Sequence, residues 1–416
     1  MAQAYSDVAA VQIEAVSPLL TGFWDEEDSL YAKFEKVPSQ SQSGRAMRIP
    51  VELRPSAAFA AADFDGGNVP AGGGPLFDYA SLTPVEQSLT LEWTLKNKFT
   101  TDSDAKAIVD TVQRTIASGI KESKIMVDKT LQTSGTGIVA TVTAKGSAPT
   151  YGVAGNGFGA RLLRRGMHIS VYDSTQANYR GAVTVANQPD YKNETVTLSG
   201  TLAGAIDVGD KLCIGGLTAT PPSFIFGLPY HANASTSGTW LSWTRSNYPE
   251  IITPNVAAGS TNLTIEYVHK LMALMEGELS DVFDSGNWTW YMNPKQHFQL
   301  IQLMTQISEI HLPMGSGNGE VDLAFNRKRQ RMLASIPVMT SINADNSRID
   351  LIDLQNWMRG TYKDLGFLSL GGKTVLPKVG SSTYTFAEQS ILGWAHQFAC
   401  KNPRRGGYIS GLTVPF

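Results

Sequence analysis

Two periodicities run through this chain. From Thr101 to Leu131 the apolar positions Ala105, Ile108, Val109, Val112, Ile116, Ile120, Val127 and Leu131 recur three or four apart, the spacing of one helix face. Lys106, Asp110, Arg114, Lys121, Glu122 and Lys124 fall largely off that stripe. Thr101 and Asp104 have the spacing of a capping box, and Gly135 and Gly137 are stop signals. A continuous helix over this stretch would be about 45 Å long at 1.5 Å per residue, long enough to serve as a strut.

The other periodicity is two. Met47, Ile49, Val51 and Leu53 alternate with Arg48, Pro50, Glu52 and Arg54, and Leu89, Leu91, Trp93 and Leu95 alternate with Ser88, Thr90, Glu92, Thr94 and Lys96. Each run predicts a strand with one apolar face. Between them lies a tip of Ala, Gly and Pro that includes Gly66-Gly67 and Gly72-Gly73-Gly74-Pro75. The two runs read as the arms of a long β-ribbon. A two-stranded ribbon is marginal alone in water, so its apolar face needs a cover. The strut reaches only the base, and a second subunit is expected to cover the rest.

The remaining chain divides by pattern. Val8–Leu20 predicts a short helix ending near Pro18, and Asp25-Glu26-Glu27-Asp28 is either a solvated turn or a patch that docks on a basic surface. Ile138, Val139 and Val142 predict a strand leaving the strut. Gly155–Gly159 lacks the spacing of a nucleotide-binding loop and reads as a plain connection. From Leu162 to Gly216, short alternating runs at Met167–Val171, Val183–Val185, Val196–Leu198 and Leu212–Ile214 predict a small β-barrel or sandwich. Arg161, Arg164 and Arg165 stand at its start. Pro221-Pro222 marks a break. Leu263–Leu279 predicts a helix with Tyr267, Val268, Leu271, Met272, Met275 and Leu279 on one side. Trp288–Met292 reads as an aromatic strand, after which Asn293 caps and Pro294 opens a helix with Phe298, Ile301, Met304 and Ile307 as its core stripe. Met314–Gly319 reads as a loop, Leu333–Val338 as one strand, Leu392–Cys400 as a buried closing strand, and Tyr408–Val414 as one more.

Composition narrows the function classes. The 416 residues suggest two to four domains, and 42% hydrophobic against 17% charged residues is ample for a core. A formal net charge of −3 gives no global drive toward nucleic acid. The dense basic run Asn326–Arg331 is a local exception, read as a solvated loop or an ion-pair partner before a phosphate contact. Cys213 and Cys400 exclude a disulfide framework and a cysteine-based zinc site, and read as buried thiols. Residues 1–20 lack a signal-peptide pattern, and no run is long and apolar enough to span a membrane. The sequons at Asn193, Asn233, Asn262 and Asn287 are therefore read as chance matches.

Catalytic signatures are absent from the pattern. His168, His231, His269, His297, His311 and His396 form no close ligand pair, and no nucleophile elbow, phosphate loop or Cys-x-x-Cys occurs. Asp350 and Asp353 read as a solvated acidic edge. The eight tryptophans are dispersed and read as anchors of core and subunit contacts. No catalytic, cofactor-binding or metal residue is assigned, no cofactor is expected, and the chain is not read as an enzyme.

The order of these parts resembles the major capsid protein of tailed bacteriophages, the Hong Kong 97-type fold. Gly44–Lys96 resembles that family's extended loop, and Thr101–Leu131 its spine helix. Trp290-Tyr-Met-Asn-Pro-Lys-Gln-His-Phe-Gln-Leu300 is similar to the strand-to-helix passage into the axial domain. Leu333–Val338 resembles a later strand before the return, and Gly393-Trp394 through Cys400–Arg405 the closing strand and turn. The resemblance implies an α+β fold. Its expected parts are an N-terminal arm (1–40), extended β-ribbon loop (41–98), peripheral domain with spine helix (99–150) and inserted small β-barrel-like domain (151–220). A peripheral/axial connection (221–260), an axial α/β domain (261–345), and a return to the peripheral domain with closing strands (346–416) follow.

The resemblance also implies a function. Many copies would form hexamers and pentamers and close an icosahedral head around double-stranded DNA, touched non-specifically, with assembly in the host cytoplasm. A portal is an expected partner and a decoration protein a further one; no membrane is expected. Many relatives carry a cleavable scaffolding segment before the arm. Here the arm begins almost at Met1, so either that segment has already been removed or, as expected from Met1, scaffolding is a separate protein. Some relatives crosslink a Lys to an Asn; Lys96, Asn97 and Lys98 lie near the ribbon base, but nothing marks a crosslinking pair. Two alternatives stand beside this reading: an encapsulin-like container for protein cargo, and a carbohydrate-binding β-protein that uses the tryptophans.

Overall fold

A computed structural model describes residues 30–37, 47–54, 73–94, 105–146, 149–154, 159–200, 202, 206–280, 282–310, 332–379 and 384–413. Outside the described residues lie the predicted Val8–Leu20 helix, the acidic run Asp25–Asp28, Trp24, most of the ribbon tip, Lys96–Lys98 and the Thr101–Asp104 cap. Most of the Gly155–Gly159 loop, His311, the Met314–Gly319 loop and the basic run Asn326–Arg331 lie outside them too.

Helix α1 (Leu30–Lys33) and strand β1 (Glu35–Val37) precede the ribbon strands β2 (Met47–Arg54) and β3 (Leu76–Leu82). Strand β4 (Val85–Thr94) then leads to the long helix α2 (Ala105–Thr130). Its 26 residues span about 39 Å. Ile120, Val127 and, just beyond the helix, Leu131 are buried in one core with Leu91 of β4. The approach is close: a Cβ on Gly119 would lie 2.8 Å from Leu91 Cδ2. Gly135 and Gly137 follow at φ of 91° and 71°, the left-handed region where glycine turns a chain without strain.

The predicted ribbon pairing is corrected. Strand β2 pairs antiparallel with β3, from Met47 opposite Leu82 to Arg54 opposite Leu76, and not with the run Leu89–Leu95. Strand β4 pairs instead with β20 (Tyr384–Cys400), Val85 opposite His396 through Thr94 opposite Ala387. Period two fixes which face a strand buries; it carries no information about which strand lies alongside.

Strand β20 organises a five-stranded sheet. Its other edge takes β18 (Trp357–Phe367) along the C-terminal half and β19 (Val375–Val379) along the N-terminal half. Strand β1 adds in parallel beyond β18. Leu30, Tyr31 and Phe34 of the α1 segment are buried in this sheet's core with Trp357, Leu392, Trp394 and Phe398.

Strands β5 (Ile138–Lys145), β6 (Thr150–Ala154), β7 (His168–Tyr172), β8 (Tyr179–Val185), β9 (Thr195–Ser199) and β10 (Lys211–Ile214) close into a barrel in the order β10-β5-β6-β9-β8-β7. The sequence predicts a small β-barrel or sandwich from Leu162 to Gly216; the closed barrel also takes in β5 and β6, which precede that stretch. The unit starts at Ile138, directly after the glycine turn. Val139, Val142, Val153, Ile169, Val171, Val183, Val185, Val196, Leu198 and Leu212 fill its interior.

The third unit is a six-stranded sheet in the order β13-β21-β17-β14-β16-β15. It comprises β13 (Asn255–Thr261), β14 (Trp288–Met292), β15 (Met332–Leu333), β16 (Ile336–Thr340), β17 (Arg348–Asp353) and β21 (Gly406–Leu412). Helix α3 (Leu228–His231) precedes it, and α4 (Ile265–Leu279) and α5 (Pro294–Ile310) pack on it. Strands β17 and β21, expected from sequence in the return segment 346–416, sit side by side inside this sheet. Leu333–Val338 is not one strand but a hairpin, Leu333 opposite Ile336. Its two turn residues, Ala334 and Ser335, are at φ of 49° and 64°, as a primed turn requires.

One position of the predicted α5 stripe is corrected as well, while the side chains of Met304 and Ile307 lie outside the described residues. Phe298, predicted core, is 55% exposed, whereas Leu300 is fully buried. The face turned inward carries Gln296, which donates to the backbone carbonyls of Asn346 (2.5 Å) and Thr413 (3.4 Å). Polar anchors of this kind are invisible to a hydrophobic pattern. Asn293 caps as predicted, its Oδ1 accepting from the Lys295 amide at 3.0 Å.

Candidate assembly surface

The ribbon has two unlike faces. Residues opposite one another in an antiparallel pair share a face; Val51 lies with Asp78, and Ala80 and Leu82 of β3 follow on that same face. Ala80 and Leu82 are buried, in a cluster with Trp240, Trp243, Ile251, Met358 and Ala399. The long helix does pack on Leu91 of β4, the run expected as the second arm, but the root of the β2–β3 ribbon is covered by a tryptophan hairpin. Its strands are β11 (Thr239–Trp240) and β12 (Trp243–Thr244), with Trp240 opposite Trp243.

That hairpin is held from behind by polar contacts. The Trp240 indole N–H donates to His231 Nδ1 at 2.9 Å, and His231 Nε2 meets the Phe398 carbonyl at 3.2 Å. Accepting at Nδ1 puts the ring proton on Nε2, so the ring is neutral. Burial holds His231 far below its usual range, at about 3, against the raising effect of the Phe398 carbonyl. Arg245, 2% exposed, donates to the carbonyls of Asn233 (3.0 Å), Tyr230 (3.0 Å) and Ile251 (3.2 Å), stapling the loops beneath the hairpin. The Trp243 indole reaches the ribbon itself, donating to Asp78 Oδ2 at 3.2 Å. Truncating a buried tryptophan of this sort costs about 3–5 kcal/mol.

The opposite face carries Arg48, Pro50 and Glu52 with Ser81, Tyr79 and Phe77. Phe77 is 65% exposed and Tyr79 48%; Leu76, at the far end of β3, is 46% exposed. The Arg48 guanidinium lies 4.5 Å from the Tyr79 ring centre, a cation–π contact that leaves the outer ring surface open. An aromatic patch projecting on a two-stranded arm is the surface type that marks a protein contact.

A second set of contacts joins the three units. At the C-terminal end of α2, Lys129 donates to the carbonyls of Arg161 (3.0 Å) and Leu162 (3.3 Å) at the barrel's start. Asp128 accepts from Asn343 Nδ2 at 2.7 Å, and Gln132 donates to the Tyr291 hydroxyl at 2.7 Å. Arg161 donates to Asn346 Oδ1 at 2.8 Å. Burial lowers Lys129 to about 8, helped by the nearby Arg164 charge, and burial raises Asp128. The barrel, long helix and six-stranded sheet therefore meet at one desolvated polar joint.

Candidate chemistry is placed as follows. Asp350 and Asp353, predicted as a solvated edge, are buried at 6% and 1% exposure. Arg348 pairs with Asp350 at 2.6 Å and Arg405 with Asp353 at 3.1 Å. Both are structural pairs whose cations sequence reasoning did not connect to them. Of the histidines, His231 and His396 are buried, His168 and His269 exposed, and His297 half-buried, on separate elements. Among the described residues no group of His, Cys, Asp and Glu is arranged to hold a metal ion, and no helix is long and apolar enough to cross a membrane. Cys213 and Cys400 are free and buried, and burial pushes both thiols up to about 12. Trp240, Trp243, Trp288, Trp290, Trp357 and Trp394 are buried, which leaves none of these six as an open stacking platform for a sugar.

No protein-family model matches the sequence, and no curated protein matches it. Solved structures do. A chain of the cyanophage A-1(L) capsid asymmetric unit superposes with a TM-score of 0.54 at 12% identity, covering 92% of this chain and 92% of that one. A capsid chain of the native GTA particle gives 0.47 at 10% identity over 92% and 90%. A chain of the satellite phage P4 procapsid that includes size determination (Sid) protein gives 0.41 at 7% identity over 95% and 99%. The first of these, spanning nearly the whole of both chains, shows that this α+β chain has the fold of a phage capsid subunit.

Proposed function

We propose that this chain is the major capsid protein of a tailed bacteriophage, with the Hong Kong 97-type fold, building the icosahedral head as hexamers and pentamers around double-stranded DNA. The observation that carries the reading is the whole-chain likeness to the cyanophage capsid chain. The open aromatic face of the ribbon supports it. The ribbon root is anchored in its own subunit through Trp240 and Trp243, while Phe77, Tyr79 and Leu76 project without a cover among the described residues. A neighbouring subunit supplies that cover. The role is structural rather than catalytic. Assembly takes place in the host cytoplasm with a portal and a separate scaffolding protein, and the product resides in the virion.

Electron microscopy of the purified chain, expressed with and without a coexpressed scaffolding protein, tests this. Closed particles, or uniform hexamers and pentamers, are the expected outcome. A monomer or dimer under both conditions would overturn the reading. DNA inside particles from infected cells is expected; protein cargo in its place would favour the encapsulin-like alternative.

A further inference from the structure

The face of the five-stranded sheet that lies under α1 holds a set of buried polar atoms with nothing to bind. Strands β18 and β20 are registered so that Arg359 lies opposite Phe398 and Thr361 opposite His396. These four side chains therefore share one face. Arg359, Thr361 and His396 are 5%, 6% and 1% exposed. Arg359 Nε, Thr361 Oγ1 and His396 Nε2 make no hydrogen bond. The surroundings are aromatic. The Arg359 guanidinium sits 4.2 Å from the Tyr31 ring centre, and the Tyr31 ring is 5.7 Å from His396 and 5.5 Å from Phe398.

Buried polar atoms are almost always paired, and a buried charge more so. Three orphans on one patch, one of them cationic, call for an acceptor carrying negative charge. A carboxylate answers all three, since the guanidinium, the hydroxyl and the imidazole N–H can each donate to it. Of the carboxylates on the adjoining strands, Glu35 pairs with Lys401 at 3.0 Å, Asp364 with Lys36 at 2.7 Å and Glu92 with Lys378, Glu388 accepts from the Trp93 indole, and Glu86, opposite Ala395, lies on the other face of the sheet. Helix α1 itself carries none. The sequence just before it does, in the four consecutive carboxylates Asp25-Glu26-Glu27-Asp28. Asp28 stands three positions before Tyr31, the residue that touches Arg359. Three residues reach at most ~10 Å, which keeps Asp28 close to the patch.

We propose that Arg359, Thr361 and His396 form a carboxylate receptor for the acidic run Asp25–Asp28 of the same subunit, seating the N-terminal arm on the peripheral sheet. Charge complementarity and the short tether select this occupant. The inference stands apart from the shell reading, because it concerns how one subunit holds its own arm.

The test uses four full-length chains: the natural one, the quadruple variant D25N/E26Q/E27Q/D28N, R359M, and the combination. Thermal unfolding is expected to show a Tm several degrees lower for the quadruple variant than for the natural chain. In the R359M background the same four changes should shift Tm by less than a degree. Equal shifts in both backgrounds would overturn the proposal. Hydrogen exchange supplies an arm that keeps Arg359 in place and so stands even if R359M does not fold. Amides of residues 357–361 and 394–398 should exchange several-fold faster in the quadruple variant, and unchanged exchange there would overturn the proposal. Mixing the quadruple variant with R359M separates the source of the carboxylate. Restored protection in the mixture would place it on a neighbouring subunit and overturn the same-subunit assignment; no restoration is expected.

Discussion

The barrel and the ribbon use the same alternating code and reach opposite ends. In the barrel each strand has a neighbour on both sides, so no edge is left to pair with another chain. Its apolar positions point into one interior, and its two ends meet, with the Ile214 amide donating to the Gly137 carbonyl at 3.0 Å. Among the described residues the ribbon strands β2 and β3 pair only with each other. One face is buried at the root, and the other presents Phe77 and Tyr79 to solvent. Alternation says that a face is apolar. Closure within the chain, or its absence, decides whether that face is a core or a contact.

The largest effect that would break this contrast concerns autonomy. A fragment spanning 137–215 is expected to fold alone, with a strand-rich circular dichroism spectrum and one cooperative thermal transition. A fragment spanning 47–82 is expected to show neither, since a two-stranded ribbon without its cover is marginal. A barrel fragment without a transition would mean that the polar joint at Lys129, Arg161 and Asn346 is needed to close it.

Acid should separate the two regions next. His231 at the ribbon root and His396 in the five-stranded sheet are both held at about 3, by burial first and then, for His396, by the Arg359 charge. The unfolded histidines take up protons below about 6.5, while the folded ones stay neutral until about 3. Across that window the unfolded state binds more protons, so stability is complete above pH 6.5 and falls as pH drops toward 3. Each histidine contributes up to ~5 kcal/mol. Asp128, Asp345 and Asp350, raised by burial, gain protons first in the folded state and offset part of the loss. The barrel's one histidine, His168, is exposed. Its Asp173, Asp190 and Asp207 are held low, first by hydrogen bonds from Asn178, Asn193 and Lys145 respectively, so its acid loss begins only in the carboxylate range. Between pH 6.5 and about 4.5, hydrogen exchange should accelerate at Trp240 and Phe398 and stay constant in the barrel. Uniform acceleration would erase the distinction.

Much of the architecture was legible from pattern, and what was missed shares one cause. The long helix, the barrel strands β7 to β10, the aromatic strand Trp288–Met292 and the Asn293 cap are local features, written in spacing and residue type. The partner of β4 was not legible, because Val85–Thr94 pairs with a strand some three hundred positions away and period two names no partner. Strand β3 was hidden because Leu76, Phe77 and Tyr79 put apolar groups on both faces and break the alternation. The turn at Ala334 and Ser335 carries neither Gly nor Asn. The assembly surface was legible only as a need for cover; which residues project, and that a tryptophan hairpin holds the root, required the fold.

The smallest expected effect on the subunit is also the one that most sharpens the comparison. Phe77→Ser and Tyr79→Ser together remove two exposed rings. Loss of the Arg48 contact over Tyr79 costs about 0.5–1 kcal/mol at an exposed site, and exposed substitutions otherwise stay within about 0.5 kcal/mol. The buried root, with Ala80, Leu82, Trp240 and Trp243, is untouched, so Tm should move by no more than a few degrees. If the face is a contact, the same two changes should abolish closed particles under conditions where the natural chain forms them. A matched pair on the barrel surface, Tyr191→Ser and Val208→Ser at 46% and 59% exposure, should leave both Tm and particle yield as they were. Loss of particles from the barrel pair as well would make the barrel a second contact surface, and intact particles from the ribbon pair would place the intersubunit contact elsewhere.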